Sequence, residues 1–564
     1  MASAMLAGAA AAVLTPGGDH RGTDHTDHDH SGELLTGVDL SPDPVTAAPS
    51  VLAEADFSAA VLDFADLRGV LGGCESVGPP IDCTTFAGAS LVGADLGGAA
   101  LALAALDGAD FRNAALVGAD CSSATATAAV FVGADLSFSS WVGASLGGAD
   151  LGFASAVGAD FAGAALTGVG LRSADLERAA LVGADLTGAV DASGVAAVRS
   201  DWTGADATGM SLRAADLRDA VLVDAVLRGV DLTLADLGGV DARCADAVAD
   251  PPVDPVALDT CAELHGATLR FARAVDADFG HALLVEGPGA VPVDLRDAEL
   301  RRADFSDACF TAVVAGSCEP LPPVSPAPAM LAGARVDGVR FDRAVLVGSD
   351  LRRIAGGCVE AGPGDPDPSD RCPSFVAVDL RMADLSGARL ADADFTGADL
   401  AGATATGADW AAADLTDASL VGAVLDDVVL DGAIVDGADL TNAVLTGADL
   451  TDARFVGATF ADGGVTTIVN GLAQCTPGPG ETPVDLTGAV LVGADLVSAE
   501  SFQAGCILVD TTTLYDDETT GFPTGFALRS QMTNVPEPSG PLAAFAAGAA
   551  LSWLARRRAT GPAR

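Results

Sequence analysis

The sequence predicts an all-β solenoid, a chain that turns a corner every five residues and winds into a square coil. Three observations carry that prediction. Large apolar residues recur at every fifth position, and from Phe86 to Leu186 the beat runs through 86, 91, 96, 101 and onward without a slip. A small residue, usually alanine, stands two positions before each large one, often with aspartate between them, as in Ala94-Asp95-Leu96 and Ala184-Asp185-Leu186. Glycine closes many units, as at Gly93, Gly108 and Gly133. A helix needs an apolar period of about 3.6 and a strand one of about 2, so a sustained period of five fits neither.

Each part of the unit has a place in such a coil. In extended backbone, residues two apart share a face, so the large and small residues both point inward and the aspartate points out. Four sides close a coil of roughly 20 residues, and coils stacked at strand spacing bury a continuous apolar column. Only a small residue fits beside leucine or phenylalanine in so narrow a bore. Glycine suits the corner because it reaches backbone angles that strain other residues. Leu96, Leu116 and Leu136 are expected in one interior row, and Cys121, Trp141 and Phe161 in another.

The A-D-L-x-x units resemble those of the pentapeptide-repeat family, whose fold is a right-handed quadrilateral β-helix. The resemblance covers most of residues 50–526. Central residues keep phase over 52–67, 86–186, 202–247, 264–284, 295–310, 331–351, 375–460 and 486–496. The expectation is one solenoid domain, a rod of roughly 80 Å. Looped insertions are expected near 70–83, 187–200, 248–261, 285–293, 311–329, 354–372 and 461–483. Thr513-Leu514-Tyr515-Asp516 and Phe522-Pro523-Thr524-Gly525-Phe526 resemble a closing motif of such solenoids and read as the cap of the last open coil.

Ten of the eleven cysteines group around breaks in the beat. Each long break reads as a loop whose neck a disulfide ties: Cys74–Cys83, Cys244–Cys261, Cys309–Cys318, Cys358–Cys372 and, less tightly, Cys475–Cys506. Closing a loop of ~15 residues contributes about 3 kcal/mol in the chain-entropy model. The other reading is ten buried thiols; zinc is disfavoured because no C-x-x-C occurs. Cys121 keeps the beat and is expected in the core as a small apolar residue. Disulfides imply an oxidising compartment.

Both ends bear on destination. Val535-Pro536-Glu537-Pro538 is followed by an uncharged stretch over 540–555 and then by Arg556, Arg557 and Arg558. This order resembles a PEP-CTERM sorting signal. The resemblance implies a C-terminal transmembrane helix over 540–555 within a sorting segment at 527–564. It also implies export and processing by an exosortase-type enzyme, with the chain in the cell envelope or outside it, transiently anchored in the membrane. At the other end, Met5 to Leu14 is apolar but has no basic residue before it, so 1–18 reads as a truncated signal segment. Residues 19–49 read as a disordered linker rich in histidine and aspartate. Its His20, His25, His28 and His30 are weak candidates for loose binding of zinc, copper or nickel.

The formal net charge is −49, with no lysine in the chain. Basic patches of the kind that bind nucleic acid are absent from the sequence. Along a rod of roughly 80 Å, the charge density approaches the one per ~1.7 Å of duplex DNA, which some quinolone-resistance relatives imitate. Export argues against that role here. Like charges on adjacent coils about 5 Å apart repel by roughly 0.8 kcal/mol in water. Within 84–188 no two outward aspartates are a coil apart, whereas Asp379 stacks with Asp399 and Asp394 with Asp414. Gly143-Ala144-Ser145-Leu146-Gly147 matches a hydrolase elbow by accident of repetition, and His265 and His281 have no nucleophile or third ligand evident. The reading is a non-enzymatic, exported, envelope-associated scaffold with an unidentified protein or polysaccharide partner, no nucleic acid and no cofactor beyond loosely held divalent cations. The alternatives are a module whose acidic faces bind divalent cations or a basic protein, and a cytosolic DNA mimic.

Overall fold

The computed structural model describes residues 14–73, 83–242, 330–358, 372–456 and 458–459. It also describes the coil positions 262, 264, 267–269, 272–274, 277–279, 295–296, 298–300, 303–306 and 308, and the short strands 465–469, 472–476, 484–485, 507–508, 514–515 and 533–534. The chain divides into two compact units, Met1–Arg340 and Phe341–Arg564. A single domain was expected. The boundary falls inside the unbroken run of units 331–351, so the beat carries no sign of it.

In the first unit, one residue of each side pairs in parallel with the residue a coil later: Thr85 with Ala105, Ser90 with Asp110, Asp95 with Ala115 and Ala100 with Asp120. Four sides therefore make one turn of a square β-helix. The unit around Leu96 shows how its backbone donors are used. Leu96 N–H donates to Ala115 O at 2.6 Å, Gly98 N–H to Val117 O at 2.8 Å, and Asp95 N–H to Ala65 O at 2.9 Å. The corner closes as a β-turn, with Ala99 N–H donating to Leu96 O at 3.0 Å. Gly98, the third residue of that turn, has φ 65°, as a type II turn requires.

One donor per unit remains, and the aspartate takes it: Gly97 N–H donates to Asp95 Oδ1 at 3.0 Å. The same contact recurs from Ser122 to Asp120, Ser137 to Asp135 and Ala162 to Asp160, each at 3.0 Å. The aspartate thus points outward and also completes the hydrogen bonding of its own turn.

The core occupies the bore. Leu96, Leu116 and Leu136 are fully buried and successive in register, as are Cys121 and Trp141, with Phe161 at 1% exposure above them. Aromatic rings stack along the axis, as with Phe111 on Phe131 at 4.9 Å. Full burial of each large side chain contributes about 1.5–3 kcal/mol.

One expected interruption is continuous coil, and most of the expected linker is coil as well. Over 187–200 the chain does not leave the helix. It gains one residue beside the exposed Val190, so that Gly170 pairs with Asp191 and Asp175 with Ala196. The units continue through the buried centres Ala192 and Ala197, which are too small to register as beats. Within residues 19–49, expected as a disordered linker, 19–41 form the first coil positions, and the stretch after them lengthens the coil that joins Asp24 to Val51 to 27 residues. Asp19 pairs with Asp39, Asp24 with Val51, Asp29 with Asp56 and Leu34 with Val61. His20, His25 and His30 take the central slots that leucine fills elsewhere. Within the expected signal segment 1–18, Leu14 is buried and Gly17 N–H donates to Thr36 O.

True insertions lengthen individual coils. Val92 N–H reaches Asp63 Oδ1 across 29 residues, where the same contact in a regular coil spans 20. On either side of 74–82, Gly73 N–H donates to Thr84 Oγ1 at 2.9 Å and Thr84 N–H donates to Gly73 O at 2.9 Å, which makes a hydrogen-bonded neck.

In the second unit the same ladder pairs Ser374 with Asp394, Asp379 with Asp399 and Asp384 with Thr404. Phe341, Phe375 and Phe395 stack at 5.3 and 4.8 Å. Within the expected loop 461–483, β1 (Val465–Val469) and β2 (Leu472–Thr476) form an antiparallel hairpin. Strand β3 (Val484–Asp485) pairs in parallel with β4 (Ile507–Leu508). In the expected closing segment, β5 (Leu514–Tyr515) pairs in parallel with β6 (Thr533–Asn534).

Candidate functional site

Among the described residues, the group of ligating side chains that lies closest together is in the first coil. His25 and His28 are the first and last residues of one corner, where His28 N–H donates to His25 O at 3.1 Å. That turn brings their rings to 5.4 Å, and His30 lies 5.3 Å from His25. One ring nitrogen from each of the three lies within 4.8 Å of those of the others. His25 is fully buried, His30 is 6% exposed, and His28 is half-buried. His20, also expected in the group, sits 6.4 Å from His25 and outside the triplet. His30 stacks on Phe57 at 5.0 Å, and Phe57 on Phe86 at 5.1 Å, so the imidazole is part of an aromatic column. Burial and the neighbouring imidazoles lower the His25 pKa to about 4.

Thr23 and Glu33, which the sequence reading passed over, complete the group. Thr23 Oγ1 donates to His20 O at 2.5 Å and lies 2.8 Å from His25 Nε2. Its one proton is used, so His25 Nε2–H is the donor to it. Glu33 Oε2 lies 3.1 Å from His30 Nδ1. The remaining nitrogen of His30, Nε2, is buried and has no hydrogen-bond partner.

Cys358 and Cys372 are disulfide-bonded. The coil they interrupt closes over 34 residues, an excess over the regular 20 equal to their separation of 14. Cys83 is also disulfide-bonded. Cys74, Cys244, Cys261, Cys309, Cys318 and Cys506, and the side chain of Cys475, lie outside the described residues. Cys121 is free and fully buried, and burial pushes its thiol pKa up. The sorting residues Val535, Pro536, Glu537, Pro538, Arg556, Arg557 and Arg558, the stretch 540–555, His265 and His281 also lie outside the described residues. Among the described residues no helix is long and apolar enough to cross a membrane.

On the acidic surface, arginine separates several stacked aspartates. Arg381 pairs with Asp379 at 2.5 Å and reaches Asp399 at 3.5 Å. Arg21 does the same for Asp19 and Asp39, and Arg68 for Asp66 and Asp95. In each case the arginine stands two residues after the first aspartate. Charge stacking is thus relieved by a third group, not only by keeping aspartates apart. The Arg112 guanidinium holds the Asp110 carboxyl below the usual carboxylate range, as Arg218 does for Asp216. A shallow groove bounded by Arg199, Arg218, Asp219 and Arg273 lies on this surface. Its arginines are ion-paired, Arg199 to Asp219, Arg218 to Asp216 and Arg273 to Asp236. Ser145 lies on a regular side of the coil, paired with Thr125 and Ala165.

A family model described as pentapeptide repeats matches in eight copies, over residues 82–115, 104–139, 129–169, 144–188, 200–239, 374–409, 393–432 and 423–462. The chain therefore carries pentapeptide repeats, and its fold is a right-handed β-helix. Among solved structures it is similar to HetL, a pentapeptide repeat protein involved in heterocyst differentiation regulation in the cyanobacterium Nostoc sp. strain PCC 7120. That match has 26% identity, 51% of this chain and 88% of that chain covered, and a TM-score of 0.18. It is similar also to trypsin-treated QnrB1, a plasmid-mediated fluoroquinolone resistance protein, with 21% identity, 40% and 91% covered, and a TM-score of 0.21. A PL6 alginate lyase matches with 10% identity, 64% and 81% covered, and a TM-score of 0.25. At these TM-scores none of the three likenesses bears on function. No curated protein sequence matches the chain.

Proposed function

We propose that this chain is a non-enzymatic scaffold, exported and held at the cell envelope, which presents its insertions and acidic faces to a protein or polysaccharide partner. The observation that carries the reading is the disulfide at the neck of the 358–372 insertion. Such bonds persist in oxidising compartments, and this one occurs in a chain whose tail resembles a sorting signal read by an exosortase-type enzyme. Coil lengths support further ties. The excess residues in the coil that joins Asp231 to Thr268 equal the spacing of Cys244 and Cys261, and those in the coil that joins Asp56 to Thr85 equal the spacing of Cys74 and Cys83. A scaffold also accords with the aspartates. Many of the described aspartates spend one oxygen on their own turn, as Asp95 and Asp120 do, and several pair with arginine, as Asp379 does. Recognition on such a protein belongs to the insertions, whose length and composition the repeat does not dictate.

Cell fractionation with intact-mass analysis of the mature chain tests this reading. The expected product is found in the envelope or outside the cell and trimmed near Pro536. Unfolded without reductant it has one alkylatable thiol, Cys121; with reductant it has all eleven. A full-length cytoplasmic chain with its thiols reduced would overturn it.

A further inference from the structure

We propose that His25, His28 and His30 bind one divalent transition-metal ion inside the first described coil. The bland alternative is that imidazoles merely fill slots that leucine takes elsewhere. Three features favour the ion. First, the protons are placed so that an ion can replace one of them. Because His25 Nε2–H is spent on Thr23, its Nδ1 is an acceptor that faces His28 Nδ1–H at 3.4 Å, and an ion bound between these nitrogens takes the place of that proton, which moves to His28 Nε2. Two nitrogens on one tetrahedral zinc at ~2.05 Å stand about 3.3 Å apart. Second, a carboxylate only accepts, so His30 gives its Nδ1–H to Glu33 and keeps Nε2 as a free lone pair. A carboxylate behind an imidazole is the usual support of a histidine ligand, fixing its tautomer and raising its basicity. Third, His30 Nε2 is buried without any partner, which costs free energy unless something accepts its lone pair.

The donor set selects the class of ion. Three neutral imidazoles suit zinc, nickel or copper, whereas calcium and magnesium require oxygen. The carboxylates of Asp24, Asp27, Asp29 and Glu33 surround the site in sequence, and Glu33 contacts it directly, so a dication is favoured electrostatically.

Zinc titration of the purified full-length chain, stripped with chelator, tests the proposal, with cobalt as a spectroscopic probe. One zinc per chain is expected, with cobalt developing visible bands of a low-coordinate site. The double variant His25→Leu/His30→Leu restores the residue that the repeat uses at these slots. It is expected to keep the β circular dichroism of the parent and to lose the metal. His28→Ala is expected to bind at least tenfold more weakly. Glu33→Ala, which touches only a supporting contact, is expected to weaken binding about 10–100-fold. Failure of the parent to bind zinc at micromolar concentration, or equal binding by the folded double-leucine variant, would overturn the proposal.

Discussion

At the scale of single residues, the five-residue unit is a hydrogen-bonding device as much as an apolar pattern. Tryptophan shows how closely the small slot is matched to its neighbour. Trp141 Nε1–H donates to Ser139 Oγ at 2.8 Å, and Ser139 passes its proton to Leu136 O at 2.6 Å. Trp202, Ser200 and Ala197 repeat the arrangement, both of its bonds at 2.6 Å. Trp410 has Ala408 in that slot, and its indole N–H is buried without a partner. Ser139→Ala is therefore expected to destabilise the fold by about 1–3 kcal/mol, and Ala408→Ser to stabilise it by about 1 kcal/mol; urea denaturation of each variant measures both. The aspartates set the acid response. Asp19, paired with Arg21, is held down to about 2 from 3.8, and hydrogen bonds from the Thr187 side chain and backbone lower Asp185. A carboxyl whose pKa is lowered by folding stabilises the native state above its unfolded value, and that stability is lost as pH falls through the folded value. Unfolding midpoints followed from pH 5 downward should hold until about 3.8 and then drop toward about 2.

At the scale of elements, corners and insertion necks carry the strain. Most corners use glycine at positive φ, yet Leu103 at 65° and Phe138 at 59° occupy the same site. The corner therefore tolerates a side chain where space is open. Gly73 is different: it has φ 99°, and an added Cβ would lie 2.6 Å from Ala102 O. That contact is with backbone, at the hydrogen-bonded neck beside the buried Thr84. Gly73→Ala is expected to cost at least 2 kcal/mol more than Gly98→Ala, which has φ 65° and nothing within 4 Å of the new Cβ. Paired thermal melts decide it, and equal losses would show that the neck yields. This scale also shows what the apolar beat conceals. Ala192 and Ala197 continue the coil although no large residue marks them. His25 and His30 hold leucine positions although their polarity reads as linker.

At the scale of the molecule, a charge of −49 is carried by coils whose aspartates often stack. Arginine relieves some stacks. Asp394 over Asp414 has no arginine bridge among the described ion pairs, and each instead accepts from its own turn, from Thr396 and Thr416. Net repulsion should therefore dominate the long-range term, so raising ionic strength with sodium chloride is expected to raise the melting temperature by screening it. A fall would mean that the arginine bridges outweigh the repulsion.

The amino-acid sequence by itself determined the square coil, its inward residues and the register of described unbroken runs such as 86–186 and 375–456. A solenoid is nearly one-dimensional, so each five-residue unit encodes its own cross-section and the next coil repeats the problem. It could not decide which residues meet where the repeat is interrupted. His30 lies on Phe57 and Arg68 between Asp66 and Asp95 because insertions set the length of those coils. Nor could it decide the placement of protons on His25 and His30, which depends on Thr23 and Glu33 being folded against them. Those outcomes depend on distances across the coil, which only the tertiary structure supplies.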